Sequence, residues 1–208
     1  MADPDDPASP PCTMPEPPDP SDPRSVAAWR REIRSRLIAE RRAIPVAARE
    51  EMTARIARHL DTVLPEPSGR VVSLYWPFRG EPDLRGWAEG LIARGARLAL
   101  PVVVETAAPL VFRPWAPGVA MTRGVWHIPV PEAGPELVPD ILLAPVVGVD
   151  PGRYRLGYGG GFYDRTLAAH PGDPLAIGVG FDAQALDTIH PQPHDVPMAR
   201  IVTESGPR

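Results

Sequence analysis

Seven consecutive apolar residues, Ile141-Leu142-Leu143-Ala144-Pro145-Val146-Val147, leave no polar face for water. A half-exposed strand alternates apolar with polar side chains. One that does not alternate is covered on both faces, as in a parallel sheet with helices above and below. The sequence downstream narrows the choice. Arg155-Leu156-Gly157-Tyr158-Gly159-Gly160-Gly161-Phe162-Tyr163-Asp164-Arg165 places four glycines in five positions, and Asp164-Arg165-Thr166-Leu167-Ala168-Ala169 is good helix-forming sequence. A strand, a glycine loop and a helix start form a recurring seat for phosphate, because glycines let main-chain N–H groups approach an anion and a helix N-terminus adds oriented donors. Flanking arginines can pair with phosphate oxygens, and Asp164 could hold a divalent cation. A structural turn can also carry such a glycine cluster.

The rest of the chain repeats the alternation. Residues 1–23 hold nine of the 30 prolines and six acidic side chains but no basic one, a composition that predicts a disordered, extended appendage. Residues 24–208 then read as a single α/β domain. Order is expected to begin near Ser25 as an N-cap, with Trp29, Ile33 and Leu37 on one helical face and Arg30 and Arg34 together on another. A second helix follows Pro45. Strands are predicted at Val71–Trp76, Leu98–Val103, Leu110–Phe112, Ile141–Val147, Leu175–Phe181 and Ile201–Val202, with a helix from Asp83 to Gly95 and a surface excursion over residues 113–139. The expected fold is a three-layer α/β arrangement, a largely parallel sheet flanked by helices, with an N-terminal helical segment ahead of it.

Composition excludes several functions. All 22 basic side chains are arginines, and a Walker-type phosphate loop requires a lysine. Beyond the tail, those 22 arginines face 20 carboxylates, which argues against a broad polyanion-binding surface but not against a local basic pocket. The single cysteine, Cys12, permits neither an intrachain disulfide nor a cysteine-based metal site. No apolar run reaches membrane-spanning length and no leader pattern opens the chain, so a cytoplasmic protein is expected. No Gly-x-Ser-x-Gly elbow is present, and Phe162 stands where a dinucleotide fingerprint needs its last glycine. His190 and His194 are four apart but separated by Pro191 and Pro193, which prevents a helical zinc pair. Ligands of parallel sheets collect beyond the carboxyl ends of strands. There the sequence places Phe78, Arg79 and Glu81 after the first strand, Asp150, Arg155 and the glycine loop after the central one, and Asp182 and Asp195 later. Trp76, Phe78, Trp126 and Phe162 are candidates to line a pocket for a flat heterocycle.

These motifs, in this order, resemble the 5-formyltetrahydrofolate cyclo-ligase (5,10-methenyltetrahydrofolate synthetase) family over nearly all of residues 27–204. The likeness is carried by the segment Arg155 to Asp164, by Gly80-Glu81-Pro82-Asp83, by Trp126-His127-Ile128-Pro129-Val130-Pro131, by Pro193-His194-Asp195-Val196-Pro197 and by Ile201-Val202-Thr203-Glu204. The resemblance implies an enzyme that uses ATP and Mg²⁺ to cyclise 5-formyltetrahydrofolate to 5,10-methenyltetrahydrofolate, releasing ADP and phosphate. It implies ATP binding by Arg30, Arg34, Arg155, Gly157, Tyr158, Gly159, Gly160, Gly161, Phe162 and Tyr163. Folate would be held by Phe78, Glu81, Trp126 and Phe162, the metal by Asp164 and Asp195, and the chemistry would fall to Arg155 and Tyr163. No nucleic-acid or membrane partner is expected, and a monomer is the default. Three departures stand out: Arg30 replaces a usual lysine, Phe162 a frequent tyrosine, and Val146-Val147-Gly148-Val149-Asp150 the common Pro-Gly-x-Ala-Phe-Asp. The same fold kept as a non-catalytic nucleotide- or RNA-binding module is the alternative.

Overall fold

The computed structural model describes residues 15–208; the expectations for residues 1–14, including Cys12, lie outside the described residues. The chain opens with α1 (Pro23–Ala43) and α2 (Val46–Val63), then β1 (Val71–Ser73), α3 (Arg85–Ala93), β2 (Arg97–Val102) and β3 (Val111–Pro114). A small excursion carries β4 (Met121–Arg123) and β5 (Pro129–Pro131). It is followed by β6 (Ile141–Pro145), β7 (Gly148–Val149), β8 (Arg155–Leu156), α4 (Phe162–Ala168), β9 (Leu175–Val179), β10 (Arg200–Thr203) and β11 (Gly206–Pro207).

Seven strands form one sheet in the order β11-β10-β9-β6-β1-β2-β3. The five central strands are parallel, while β3 and β11 are antiparallel edges. The chain builds outward from β1 to β2 on one side, then returns to β6 and builds outward through β9 and β10 on the other. The order therefore reverses between β1 and β6. At such a switch point the loops leaving two neighbouring strands diverge and open a crevice beyond their carboxyl ends.

Both faces of β6 are covered, as its unbroken apolar run requires. Ile141 and Leu143 belong to the core under α2 and α3, with Ile56, Leu60 and Leu91. Leu142 and Ala144 face the opposite layer, which includes Tyr163 and Leu167 from the α4 region. The third core is separate: Trp29, Ile33 and Leu37 of α1 meet Val147, Leu156 and Ile189, so α1 lies across the loops at the carboxyl end of the sheet. Each such buried aliphatic side chain contributes roughly 1.5–3 kcal/mol. Helix α1 starts two residues before the expected Ser25, because Asp22 caps it by accepting from the Arg24 amide at 2.9 Å and Pro23 supplies a preset first turn. The Ser25 hydroxyl instead accepts from the Asp19 amide.

Other departures from the sequence reading are short elements. Residues 113–139 contain the β4–β5 ladder, whose prolines suit an edge pairing. Pairing in β1 ends at Ser73, leaving Tyr75 and Trp76 free of the ladder. Arg155 lies on β8, one arm of a two-stranded hairpin with β7. Among the described residues no helix is long and apolar enough to cross a membrane.

Candidate functional site

A cavity of about 130 Å³ opens at the switch point. Tyr75, Trp76 and Phe78 arrive from the segment leaving β1, and Pro145 ends β6. Trp126 comes from the excursion, and Tyr158, Phe162 and Tyr163 come from the glycine loop and the start of α4. All four aromatics singled out for a flat heterocycle, Trp76, Phe78, Trp126 and Phe162, line this one cavity. Phe78 and Trp126 hold their rings within 5° of parallel with centroids 6.3 Å apart, and Tyr158 tilts toward both at 5.7 Å. Trp126 is 48 % exposed and sits at φ +56, next to His127 at φ +59. Two consecutive non-glycine residues in the left-handed region are costly and are characteristic of ligand clamps.

The cavity is mostly apolar, with Glu81 its one carboxylate. This side chain, 7 % exposed, accepts the Tyr158 hydroxyl at 2.6 Å on one oxygen and the Phe78 amide at 2.9 Å on the other. The Arg41 guanidinium lies 3.7 Å away. Burial pushes the Glu81 carboxyl up, and Arg41, Tyr158 and the Phe78 amide pull it partly back, leaving it at about 7. Across the cavity the Tyr163 hydroxyl is shielded from solvent and has no hydrogen-bond partner, and burial raises its pKa.

On the other side of the glycine loop lies a second, polar cavity of about 550 Å³, walled by Arg30, Arg31 and Arg34 of α1 and by Arg155, Asp164 and Asp195. Gly159 and Gly161 take φ values of +93 and +61, which favour glycine, and the first of these brings the loop close to the Arg34 guanidinium. The amides of Gly159, Gly160 and Gly161 find no acceptor among the described residues, so they remain available to an anion. Arg34 donates to the Gly157 carbonyl at 2.6 Å, and burial with its neighbours Arg30 and Arg31 lowers its pKa. No carboxylate pairs with Arg31 or Arg34 among the described residues. The remaining cations are balanced. Arg30 pairs with Asp195 at 2.6 Å and also holds the Ile189 and His190 carbonyls. Arg155 pairs with Asp164 at 3.1 Å while its Nε stays buried and unpartnered. Burial alone would raise the Asp195 carboxyl, but the Arg30 and Gln192 hydrogen bonds outweigh it and hold it below the usual range. Asp164 also accepts the Val196 amide at 3.2 Å.

Arg155, Gly157, Tyr158 and Gly161 line both cavities, so the glycine loop is their common wall. Every residue that the resemblance assigns to ATP, folate, metal or chemistry borders one cavity or both. Arg79, Asp150 and Asp182, placed beyond strand ends by the sequence, border neither: Asp150 accepts the Tyr154 and Ile189 amides and Asp182 pairs with Arg208. Arg30 and Arg34 do not form the free pair that their spacing suggests, because Arg30 is committed to Asp195. Sequence reasoning missed Arg41, which interrupts the apolar stripe Trp29-Ile33-Leu37 at the next fourth residue; a cation on a buried stripe was the available signal. It also passed over Tyr75, whose hydroxyl donates to the Pro82 carbonyl, and Arg165, whose guanidinium lies over the Phe162 ring at 5.5 Å and donates to the Gly160 carbonyl.

Comparison with known proteins gives the family and the fold. Residues 26–204 match the 5-formyltetrahydrofolate cyclo-ligase family model. The 5-formyltetrahydrofolate cyclo-ligase of Mycolicibacterium smegmatis is 36 % identical, the match covering 83 % of this chain and 92 % of that one; that of Escherichia coli is 32 % identical, covering 79 % and 94 %. The solved structure of Aquifex aeolicus 5,10-methenyltetrahydrofolate synthetase superposes with a TM-score of 0.73 at 26 % identity, covering 86 % of this chain and 91 % of that one. The Mycoplasma pneumoniae synthetase shares the fold, with a TM-score of 0.69 at 22 % identity over 84 % and 98 %. With the shared loop and every cavity-lining residue but Pro23 inside the matched span, this chain belongs to the 5-formyltetrahydrofolate cyclo-ligase family.

Proposed function

We propose that the protein converts 5-formyltetrahydrofolate and ATP to 5,10-methenyltetrahydrofolate, ADP and phosphate, and the observation that carries this is the wall common to the two cavities. The aromatic cavity suits a pterin: Phe78, Trp126 and Phe162 offer ring faces, and Glu81 has lone pairs left for an amino group and a ring N–H. The basic cavity suits a triphosphate, held by Arg30, Arg34, Arg155 and the main-chain amides from Gly157 to Tyr163.

Closing the ring requires a formyl oxygen to depart from carbon, and oxide is too poor a leaving group. The formyl oxygen therefore attacks the γ-phosphorus, the bond to the ADP oxygen breaks, and the oxygen becomes a phosphate ester. N10 then attacks the formyl carbon, the carbon–oxygen bond breaks, and phosphate leaves with the N10 proton. The product cation is shared between N5 and N10. Phosphoryl transfer is mainly positioning and charge neutralisation. In this reading Arg155, on the common wall, serves both through its loop-facing guanidinium. Tyr163 supplies a protonated hydroxyl, because burial keeps it from ionising.

Magnesium fits the residues present. Asp164 and Asp195 offer hard oxygens on the triphosphate cavity, and magnesium needs only one or two protein carboxylates when phosphate and water supply the rest. No group of three or more His, Cys, Asp or Glu side chains gathers as a metal site among the described residues, which agrees with an ion carried in on the nucleotide. Its chemistry would be neutralisation of the phosphate oxygens. Incubating the purified chain with Mg-ATP and 5-formyltetrahydrofolate should generate the near-ultraviolet absorbance of the methenyl product. A folded sample that binds both ligands and yields no product would contradict the proposal.

A further inference from the structure

Arg41 lines neither cavity, yet it is buried to 2 % exposure directly behind the folate wall. Its Nε donates to the Arg79 carbonyl at 3.0 Å, one terminal nitrogen to the Val146 carbonyl at 3.1 Å, and the other to the Tyr158 hydroxyl at 2.6 Å. One guanidinium therefore ties together the segment after β1, the end of β6 and the glycine loop. A guanidinium can only donate, so the Tyr158 oxygen must accept from it. The single Tyr158 hydrogen is thereby left for Glu81, 2.6 Å away, rather than for the Phe78 carbonyl at 3.4 Å. Arg41 thus acts on Glu81 twice, as a nearby positive charge and through the direction it imposes on the Tyr158 proton.

We propose that Arg41 is a positioning residue for the folate: it keeps the Glu81 carboxylate ionised and aimed into the cavity, and so sets the pH range in which a substrate with paired N–H donors is accepted. This rests on the reading of Glu81 as a folate-binding residue. The other charged or titratable groups around Glu81 are few. Tyr75 and Tyr163 face it as neutral hydroxyls raised by burial, and Arg155 lines the same cavity. Arg49 of α2 reaches Gly80, and Asp83 follows on the chain. Of these, Arg41 is the cation at salt-bridge distance from the carboxylate. Without it, burial acts on Glu81 with less opposition, and the neutral acid becomes the favoured form at neutral pH.

The test is 5-formyltetrahydrofolate binding without ATP, followed calorimetrically from about pH 5.5 to about 9. Wild-type affinity should rise as pH passes through about 7, where Glu81 ionises. Arg41→Met should move that midpoint up by about one unit, giving roughly fivefold weaker binding at pH 7 and near-normal binding at the alkaline end. Arg41→Lys, which keeps a charge but not the fork, should retain the midpoint and bind more weakly throughout. An equal loss at every pH in Arg41→Met, the signature of a merely structural role, would overturn the proposal, as would an unmoved profile. If Arg41→Met does not fold, Tyr158→Phe breaks the same link from its other end; it must raise the midpoint, and an unmoved midpoint is again fatal. Glu81→Gln separates the two ideas. Normal affinity in that variant defeats the Glu81 reading itself, whereas weak, pH-independent binding there with an unshifted Arg41→Met defeats only the role of Arg41.

Discussion

The two cavities flanking the glycine loop are built on opposite principles. On the aromatic side Glu81, Tyr158, Arg41 and the Phe78 amide are bonded to one another in a buried network that fixes the wall before any ligand arrives, and the Tyr163 hydroxyl is left without a partner. On the basic side the charges are balanced by pairing across the cavity, Arg30 with Asp195 and Arg155 with Asp164, while Arg31, Arg34 and the loop amides stay open. The first arrangement suits a neutral heterocycle that must be read by shape and a few hydrogen bonds. The second suits a polyanion, which can take over the arginines as a cation takes over the carboxylates. Preorganisation on one side and exchangeable ion pairs on the other predict that substitutions will separate cleanly by ligand.

The largest effect should come from Asp164→Asn. With the carboxylate gone, kcat/KM for Mg-ATP should fall by roughly 10²-fold or more, equivalent to about 2.7 kcal/mol of transition-state stabilisation. Folate affinity should stay within about twofold. Steady-state kinetics beside folate calorimetry on the same sample would read both, and equal losses would erase the proposed division. Next comes the pH dependence of stability. The Glu81 pKa is raised by burial from 4.5 to about 7 in the folded chain, so folding binds a proton there. Its contribution is complete below about 4.5 and is lost as pH rises through about 7, on the order of 3 kcal/mol in all. Urea unfolding at about pH 5 and about pH 8 should show this decline, and Glu81→Gln should flatten it. An equally steep decline in the variant would mean that another group carries the slope. The smallest effect is expected for the half-exposed Trp126. Trp126→Ala should weaken folate binding roughly tenfold, about 1.4 kcal/mol, and change folding stability by under about 0.5 kcal/mol. Unchanged folate affinity would remove Trp126 from the stacking wall.

The two sides also differed in how far the sequence revealed them. The unbroken run at 141–147 announced a doubly covered strand, and the glycines and helix signals around it announced the loop, because burial on two faces and left-handed backbone both restrict residue type. The four aromatics could be nominated because three of them flank loop residues. What could not be read was pairing at long range. Nothing local to Arg30 reveals that Asp195, 165 positions away, will neutralise it, and nothing local to Arg41 reveals its carbonyl partners at Arg79 and Val146. Very short strands were equally silent. The Arg155–Leu156 strand pairs with Gly148–Val149 over two residues, too few for any periodicity to register.

The central claim is that one loop brings a folate formyl group and a nucleotide γ-phosphate face to face. A solid-state NMR distance between a ¹³C-labelled formyl carbon and the terminal phosphorus of a non-hydrolysable ATP analogue, in the ternary complex, tests it directly. Reacting atoms held for attack lie about 3–3.5 Å apart, so the carbon–phosphorus distance should be under roughly 5 Å. A separation beyond about 10 Å with both ligands saturating would place them in unconnected sites and contradict the account.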